Sequence, residues 1–254
     1  MKFTVQVSGL INFAILLFST QVQAAEVRVA VASNFLIPIK YIAEVYEQET
    51  GEKLIVSAGS TGKLYAQIVN GAPYDVFLAA NSREPERLEK EGFALKDSRF
   101  TYARGRLALW APKADNKKNS LQAVLKAQDY QRLSMANPLT APYGAAAKSV
   151  LQNLNLDNNM KAKVLRGENI SQAYQYTASG AADLGFVALS QLKARGNVEQ
   201  GHFWLVDEKM HEPILQQAVL LNASQNKVKS KNFLSYLKSS KGQLMIENFG
   251  YGLF

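Results

Sequence analysis

The chain contains no cysteine and only two histidines, His202 and His211. Without cysteine there is no disulfide framework, so the folded form must depend on its hydrophobic core. A lipid-anchored form is also excluded, because the lipid would need a cysteine at the cleavage point. Neither histidine has a spacing typical of a metal site or a catalytic triad. We therefore expect no enzyme activity and no cofactor.

Long apolar runs are also missing, apart from one short run near the N-terminus. Leu10–Phe18 is mostly apolar, but it is shorter than the roughly 20 residues that span a bilayer. Lys2 is the only charge before Glu26, and Val22–Ala24 ends in a small residue suited to cleavage. An anchor or a buried helix is the alternative, but this pattern favours a cleavable signal peptide over 1–24 and a protein free in the periplasm.

Positive charge is in excess, with 29 Lys and Arg against 21 Asp and Glu, a formal net charge of +8. Nucleic acid is the usual partner of such a balance. The lysines are scattered, however, and they do not alternate with aromatic residues as a single-strand platform requires. We expect no nucleic-acid partner. A solvated basic surface that attracts small anions is the simpler interpretation.

Short apolar strand patterns alternate with helical patterns along the chain, which predicts an α/β fold with mostly parallel sheets and helices on their faces. Extended segments near 103–107 and 210–216 divide it into two lobes with a cleft: 25–104 with 214–254, and 105–213. The predicted strands are Val27–Ala32, Lys53–Ser57, Asp75–Ala80, Leu107–Trp110, Arg132–Met135, Leu184–Ala188 and Ile214–Leu221, and one long helix is predicted over Asn232–Asn248.

Two polar turns lie between a strand pattern and a helix pattern, Ala32–Asn34 and Gly59–Gly62. The N-terminus of a helix presents unpaired N–H groups and the positive end of its dipole, so it attracts anions. Ser33 and Asn34 have an ordinary alternative role as helix caps. The second turn, followed by Lys63, is similar to a phosphate-binding P-loop but lacks that motif's first glycine and final hydroxyl. A smaller anion fits it better.

Two later segments also open helices and complete the candidate site. Tyr143 follows Pro142 in a loop, where its hydroxyl either packs on the surface or donates across the cleft. Asn169 precedes Ile170, which would contribute its backbone N–H, and not its side chain, to the site. A secreted hydrolase using Ser33 or Ser60 is the competing interpretation, but no histidine is placed as its base.

Several motifs taken together resemble the periplasmic molybdate-binding proteins that feed ABC transporters. The resemblance implies a two-lobed periplasmic-binding-protein fold of type II, with the ligand in a cleft between the lobes. It implies a dehydrated molybdate or tungstate held by neutral donors, and delivery to an ABC-type permease in the inner membrane. We expect a monomer. The motifs are Val31–Asn34, Gly59–Leu64, Asn70–Phe77, Ala141–Gly144 and Asp183–Val187.

The family's ligand contacts map onto particular residues of this chain. Thr61 stands where many relatives have serine, which keeps the hydroxyl and adds a methyl group. Ala188 stands where some relatives have a tyrosine contact, so this chain would depend on Tyr143 instead. The contacts that the resemblance implies are Ser33, Asn34, Ser60, Thr61, Tyr143 and the backbone of Ile170, with no direct protein ligand to the metal atom.

Recognition of the ligand by hydrogen-bond donors alone also predicts which anions the site accepts. A cage of N–H and O–H groups leaves the proton of protonated phosphate facing another donor, whereas sulfate carries no proton and must be excluded by its smaller size. Molybdate and tungstate are larger and nearly alike. A carrier of sulfate, phosphate or another oxyanion is the alternative within the same class.

Overall fold

Two separate five-stranded sheets, each covered by helices, form the two lobes of the protein. The computed structural model describes residues 26–113, 120–156, 162–193 and 200–252, so the predicted signal peptide lies outside it. Within these ranges, no helix has the length and apolar character needed to cross a membrane. The strands are β1 Val27–Ala32, β2 Leu54–Gly59, β3 Val76–Leu78, β4 Phe100–Gly105, β5 Leu107–Ala111, β6 Leu133–Ala136, β7 Val164–Gly167, β8 Leu184–Ala188, β9 His202–Leu205 and β10 Ile214–Leu220.

The helices lie between these strands and repeatedly follow a strand's carboxyl end. A 3-10 turn, Ser33–Phe35, precedes the first helix, and a second one is formed by Glu208–Met210. The α-helices are α1 Leu36–Thr50, α2 Thr61–Val69, α3 Arg83–Lys90, α4 Leu121–Ala127, α5 Pro142–Asn153, α6 Ile170–Ala178, α7 Leu189–Leu192, α8 Lys227–Lys238 and α9 Ser240–Asn248.

Both sheets are mixed, and in this they differ from the mostly parallel sheets expected. The first has the order β2-β1-β3-β10-β4, with β1 parallel to its two neighbours and β10 antiparallel to its own. The second has the order β7-β6-β8-β5-β9, again with parallel strands on one side and antiparallel strands on the other. Each of these antiparallel pairs includes β5 or β10, which are strands next to the crossings between the lobes.

Aromatic side chains dominate the core behind the first sheet. Phe35 is fully buried, and its ring meets those of Tyr102 and Tyr251 edge-on, with centroids 5.0 and 5.4 Å apart. Each large apolar side chain buried in this way contributes roughly 1.5–3 kcal/mol to folding. Because Phe35 lies in the turn that follows β1, this packing fixes the turn against the sheet.

Four of the strands are followed in the chain by a turn or helix whose N-terminus lies at the cleft. These are β1 and β2 in the first lobe, and β6 and β7 in the second. Gly144 is required for this arrangement, since a Cβ there would lie 2.4 Å from the carbonyl oxygen of Ala136. The first turn of α5 can therefore pack directly on the end of β6. Carboxyl ends of parallel strands are where α/β proteins bind ligands.

Candidate functional site

A small, partly open cavity lies between the lobes, where the four N-termini meet. Its volume is about 10 Å³, room for about one ordered water, so the lobes must move apart to admit a larger ligand. All six residues predicted from the sequence line it. The complete lining is Ala32, Ser33, Asn34, Gly59, Ser60, Thr61, Ala80, Ala141, Pro142, Tyr143 and Ile170.

None of these eleven lining residues carries a charged side chain. The polar groups that they offer are hydroxyls and the N–H groups at the start of a 3-10 turn and of α2, α5 and α6. First-turn N–H groups have no partner within their own helix, and they share the positive end of the helix dipole. The cavity is therefore suited to an anion that is recognised by neutral donors.

A larger groove of about 400 Å³ adjoins this cavity and shares Ala80, Ala141 and Pro142 with it. Its lining includes the carboxylates of Glu84 and Glu212, of which Glu84 is paired with the lining residue Arg83 and Glu212, within the described residues, is not. Carboxylates accept hydrogen bonds and repel a second negative charge, so the groove is unsuited to a dianion. The small cavity is the better candidate.

In the first turn, Ser33 and Asn34 are buried but cap no helix. Ala32 and Phe35 occupy the cap positions of the 3-10 turn and of α1, and neither receives a side-chain cap bond. The capping alternative is therefore excluded. The amide nitrogen of Asn34 instead donates to Gln216 Oε1 at 2.9 Å and to the Tyr251 hydroxyl at 3.0 Å. What remains available in this turn is the Ser33 hydroxyl and backbone N–H groups.

The second turn places two buried hydroxyls at the start of α2. Ser60 is the cap residue of α2, yet its hydroxyl makes no cap bond and has no hydrogen-bond partner in the described part of the chain. The Thr61 oxygen accepts from the Ala80 N–H at 3.0 Å, which leaves its own proton free to be donated. Both side chains are at most 3% exposed. Lys63 does not line the cavity, and its ammonium pairs with Glu168 across the cleft.

In the second lobe, the hydroxyl of Tyr143 points toward the crossing between the lobes. It accepts from Gln216 Nε2 at 3.2 Å, and a Cβ on Gly105 would lie 2.3 Å from it. Neither of these residues lines the cavity, whereas Tyr143 itself does. Donation by this hydroxyl to an anion across the cleft stays a prediction. Burial raises the pKa of Tyr143 well above its ordinary value, so the phenol stays neutral. At the first turn of α5, where Pro142 has no N–H, Tyr143 offers its backbone N–H.

Ile170 opens α6, and its helix cap leaves one donor free. The side chain of Asn169 accepts from the N–H groups of Ser171 and Gln172 at 3.0 and 3.1 Å. The N–H of Ile170, one residue earlier, is not among the groups that this cap satisfies. This is the geometry expected if the backbone of Ile170, and not its apolar side chain, faces an anion.

Hydrogen bonds between the lobes hold them together at the cavity, and no sequence pattern indicates these bonds. The Ser171 hydroxyl donates to the Ser33 carbonyl, and the Ser190 hydroxyl donates to the Asn34 carbonyl, each at 3.0 Å. The Gly62 N–H donates to the carbonyl of Thr140 at 2.9 Å. These bonds join residues far apart in the chain, so no local motif reports them.

No histidine or carboxylate lies among the described residues that line the cavity. The Ser60 hydroxyl has no partner that could act as a base, and neither His202 nor His211 lines the cavity. Within the described ranges, no three His, Asp or Glu side chains group into a metal site. The serine-hydrolase alternative therefore lacks its second residue.

Known proteins similar to this chain are mainly binding proteins. The chain is 48% identical to the molybdate-binding protein ModA of Azotobacter vinelandii over 93% of its length and 94% of the relative's. It is 39% identical to ModA of Rhodobacter capsulatus over 90% of this chain and 88% of the relative. A more distant relative, 29% identical over 93% of each chain, is an aconitate isomerase of a Pseudomonas species.

The fold agrees with a solved structure, the periplasmic molybdate-binding protein of Azotobacter vinelandii. The TM-score is 0.86 at 40% sequence identity, over 90% of this chain and 99% of the other. The two-lobed fold of periplasmic binding proteins is thus confirmed. Residues 27–252 match the family described as bacterial extracellular solute-binding protein, and the chain belongs to that family.

Proposed function

We propose that this protein binds molybdate in the cavity between its lobes and delivers it to an ABC-type importer. The observation that carries the proposal is the convergence of four N-termini and three hydroxyl side chains on a cavity without charged lining. The relatives named as molybdate-binding proteins support the choice of anion.

Neutral donors are sufficient to hold a dianion when they act together in a dry site. Each hydrogen bond to a charged group contributes about 1.5–3 kcal/mol. We assign the hydroxyls of Ser33, Ser60 and Thr61 as side-chain donors, and backbone N–H groups of Asn34, Tyr143 and Ile170 as the others. No basic side chain is needed at the anion, so the metal atom itself has no protein ligand.

Tungstate is proposed as a second ligand, because it has the same charge and nearly the same size as molybdate. The donors would treat the two alike. Sulfate should be held less well because it is smaller than molybdate, for which we propose that the donors are spaced when the lobes close on the ligand. Protonated phosphate should be rejected because the described lining offers no carboxylate to accept its proton.

We propose that the mature protein is a periplasmic monomer whose signal peptide is residues 1–24. The lobes are proposed to be 25–104 with 214–254, and 105–213, since β4 ends at Gly105 in one sheet and β5 begins at Leu107 in the other. Closure of the lobes over the anion would give the form that the permease recognises.

The Ser60→Ala substitution tests the proposed donors most sharply. The Ser60 hydroxyl is buried without a partner, so its loss should not weaken the ligand-free fold and should slightly stabilise it. Molybdate affinity should fall by about 1.5–3 kcal/mol, the value of one bond to a charged group. Calorimetric titration and the melting temperature without ligand measure the two effects.

Ser230→Ala provides a matched control for this test. Ser230 is also a fully buried serine of the first lobe, but its hydroxyl donates to the Asn226 carbonyl within α8. Its loss should lower the melting temperature and leave molybdate affinity unchanged. Equal affinities of the Ser60→Ala variant and the unmodified protein would remove the Ser60 hydroxyl from the site.

A further inference from the structure

Behind the cavity, Gln216 forms the centre of a buried hydrogen-bond network. Its side chain on β10 is fully buried. Its Oε1 accepts from Asn34 Nδ2 at 2.9 Å and from the Tyr102 hydroxyl at 3.0 Å, and its Nε2 donates to the Tyr143 hydroxyl at 3.2 Å. One amide thus contacts a cavity-lining residue of each lobe.

A second set of bonds ties the same turn to the C-terminal segment. The Tyr251 hydroxyl accepts from Asn34 Nδ2 at 3.0 Å and lies 2.9 Å from the Asn34 carbonyl oxygen, which also accepts from Ser190. Asn34 is therefore held through both its side chain and its carbonyl. Its peptide group has little freedom to rotate, so the neighbouring N–H groups are held in a fixed direction.

Space for this network at the crossing between lobes depends on Gly105. A Cβ at this position would lie 2.3 Å from the Tyr143 hydroxyl and 2.8 Å from Gln216 Nε2. Both contacts are far below van der Waals distance, so any larger residue would displace one of the two partners. The network is thus packed directly against the backbone where β4 ends.

We propose that Gln216 is a positioning residue for the anion site, acting through Asn34 in one lobe and Tyr143 in the other. The inference rests on the proposed function. The position needs a neutral side chain that both accepts and donates: a carboxylate would place a negative charge behind a dianion, and a hydrocarbon would leave the buried Asn34 amide short of an acceptor. Gln216 does not line the cavity, so its effect on the anion is indirect.

Gln216→Met, compared with Gln217→Met, tests the proposal. Gln217 is the next residue on β10, and its amide contacts Arg99 and Thr101 within the first lobe. Titration of the full chain with molybdate should show Gln216→Met binding about ten- to a hundredfold more weakly, and Gln217→Met within about threefold of the unmodified protein. Unchanged affinity in Gln216→Met, or equal losses in both variants, would overturn the proposal.

A double-mutant cycle with Tyr143→Phe separates positioning from a general loss of stability. Tyr143→Phe removes only the hydroxyl that Gln216 contacts and retains the backbone N–H. If Gln216 acts through this contact, the fold-loss of molybdate affinity in the double variant is clearly smaller than the product of the fold-losses in the two single variants. A fold-loss equal to that product would overturn the assignment. If Gln216→Met does not fold, Tyr143→Phe alone decides: weaker binding at an unchanged melting temperature supports the network, and unchanged binding contradicts it.

Failure of the proposed function itself gives a different result. In that case the unmodified protein does not bind molybdate at all, and no variant can be ranked. Binding by the unmodified protein followed by equal binding in Gln216→Met contradicts only the positioning role.

Discussion

The hydroxyl groups at the cavity differ in their hydrogen-bond partners, so their roles in binding and in folding can be tested separately. The Ser60 hydroxyl has no partner, whereas the Thr61 oxygen also accepts a bond from the Ala80 N–H. An unpaired buried polar group costs folding free energy. An unpaired polar group in a binding site is typical of proteins in which a functional residue lowers the stability of the fold.

Thr61 gives a pair of substitutions with opposite expected results. Thr61→Ser keeps the hydroxyl and removes only a methyl group, so molybdate affinity should stay within a few-fold. Thr61→Val keeps the shape and removes the hydroxyl, so it should weaken both binding and folding, each by about 1–3 kcal/mol, because the buried Ala80 N–H also loses its partner. Calorimetry and urea unfolding measure these changes, and equal affinity of the two variants would contradict donation by Thr61.

Three buried tyrosines near the cavity predict how stability depends on pH. Burial raises the pKa values of Tyr102, Tyr143 and Tyr251 above the ordinary 10.0. The fold therefore favours their protonated forms, and this contribution is fully present below about pH 9 and is lost as pH rises past 10. Urea unfolding from pH 8 to 11 should show a falling free energy of unfolding, with a shallower fall in Tyr251→Phe. No fall above pH 10 would contradict this assignment.

The residues around the cavity could be predicted because each lies in a short local motif. Ser33, Ser60 and Thr61 each follow a strand and precede a helix, so the chain itself places them at N-termini. The role of the Tyr143 side chain could not be predicted, since its direction depends on Gln216, 73 positions later. The Asn34 amide likewise meets Gln216 across 182 positions.

At the scale of elements, close contact between α2 and the loop before α5 joins the lobes. Gly62 lies in the first turn of α2, and its N–H donates to the Thr140 carbonyl at 2.9 Å. The neighbouring pair Lys63 and Glu168 spans the same gap. Because the second pair is exposed, its contribution is small and falls with salt. The backbone contact is the more specific part of the closure.

Gly62→Ala is predicted to affect closure without harming the ligand-free fold. A Cβ at Gly62 would lie 3.2 Å from the Thr140 carbonyl oxygen, which is too tight for the two elements to keep their distance. Within α2, alanine favours the helix more than glycine does. We expect molybdate affinity several-fold lower and a melting temperature without ligand that is unchanged or higher. Unchanged affinity would show that the contact does not limit closure.

Element prediction succeeded where hydrophobic patterns were long and failed where they were short or interrupted. β1 and β8 have the predicted bounds. The four-residue strands β7 and β9 were missed. The helix predicted over Asn232–Asn248 is two helices, because Ser239 leaves helical geometry and its hydroxyl accepts from the Gly242 N–H at 3.1 Å to cap the second one.

At the scale of the whole molecule, two chain crossings unite lobes that each contribute residues to the candidate site. Ser33, Asn34, Ser60 and Thr61 come from the first lobe, and Tyr143 and Ile170 from the second. An anion held by both halves stabilises the closed form by its differential affinity for that form. The chain's net charge of +8 would favour the approach of anions without any basic side chain at the cavity.

The central claim, a cavity that selects a large tetrahedral dianion through neutral donors, is tested most directly by calorimetric titration. The mature protein is titrated with molybdate, tungstate, sulfate and phosphate at one pH and one salt concentration. The account predicts tight binding of molybdate and tungstate, with sulfate and phosphate far weaker. Preferential binding of sulfate or phosphate, or no binding of any of the four, would contradict it.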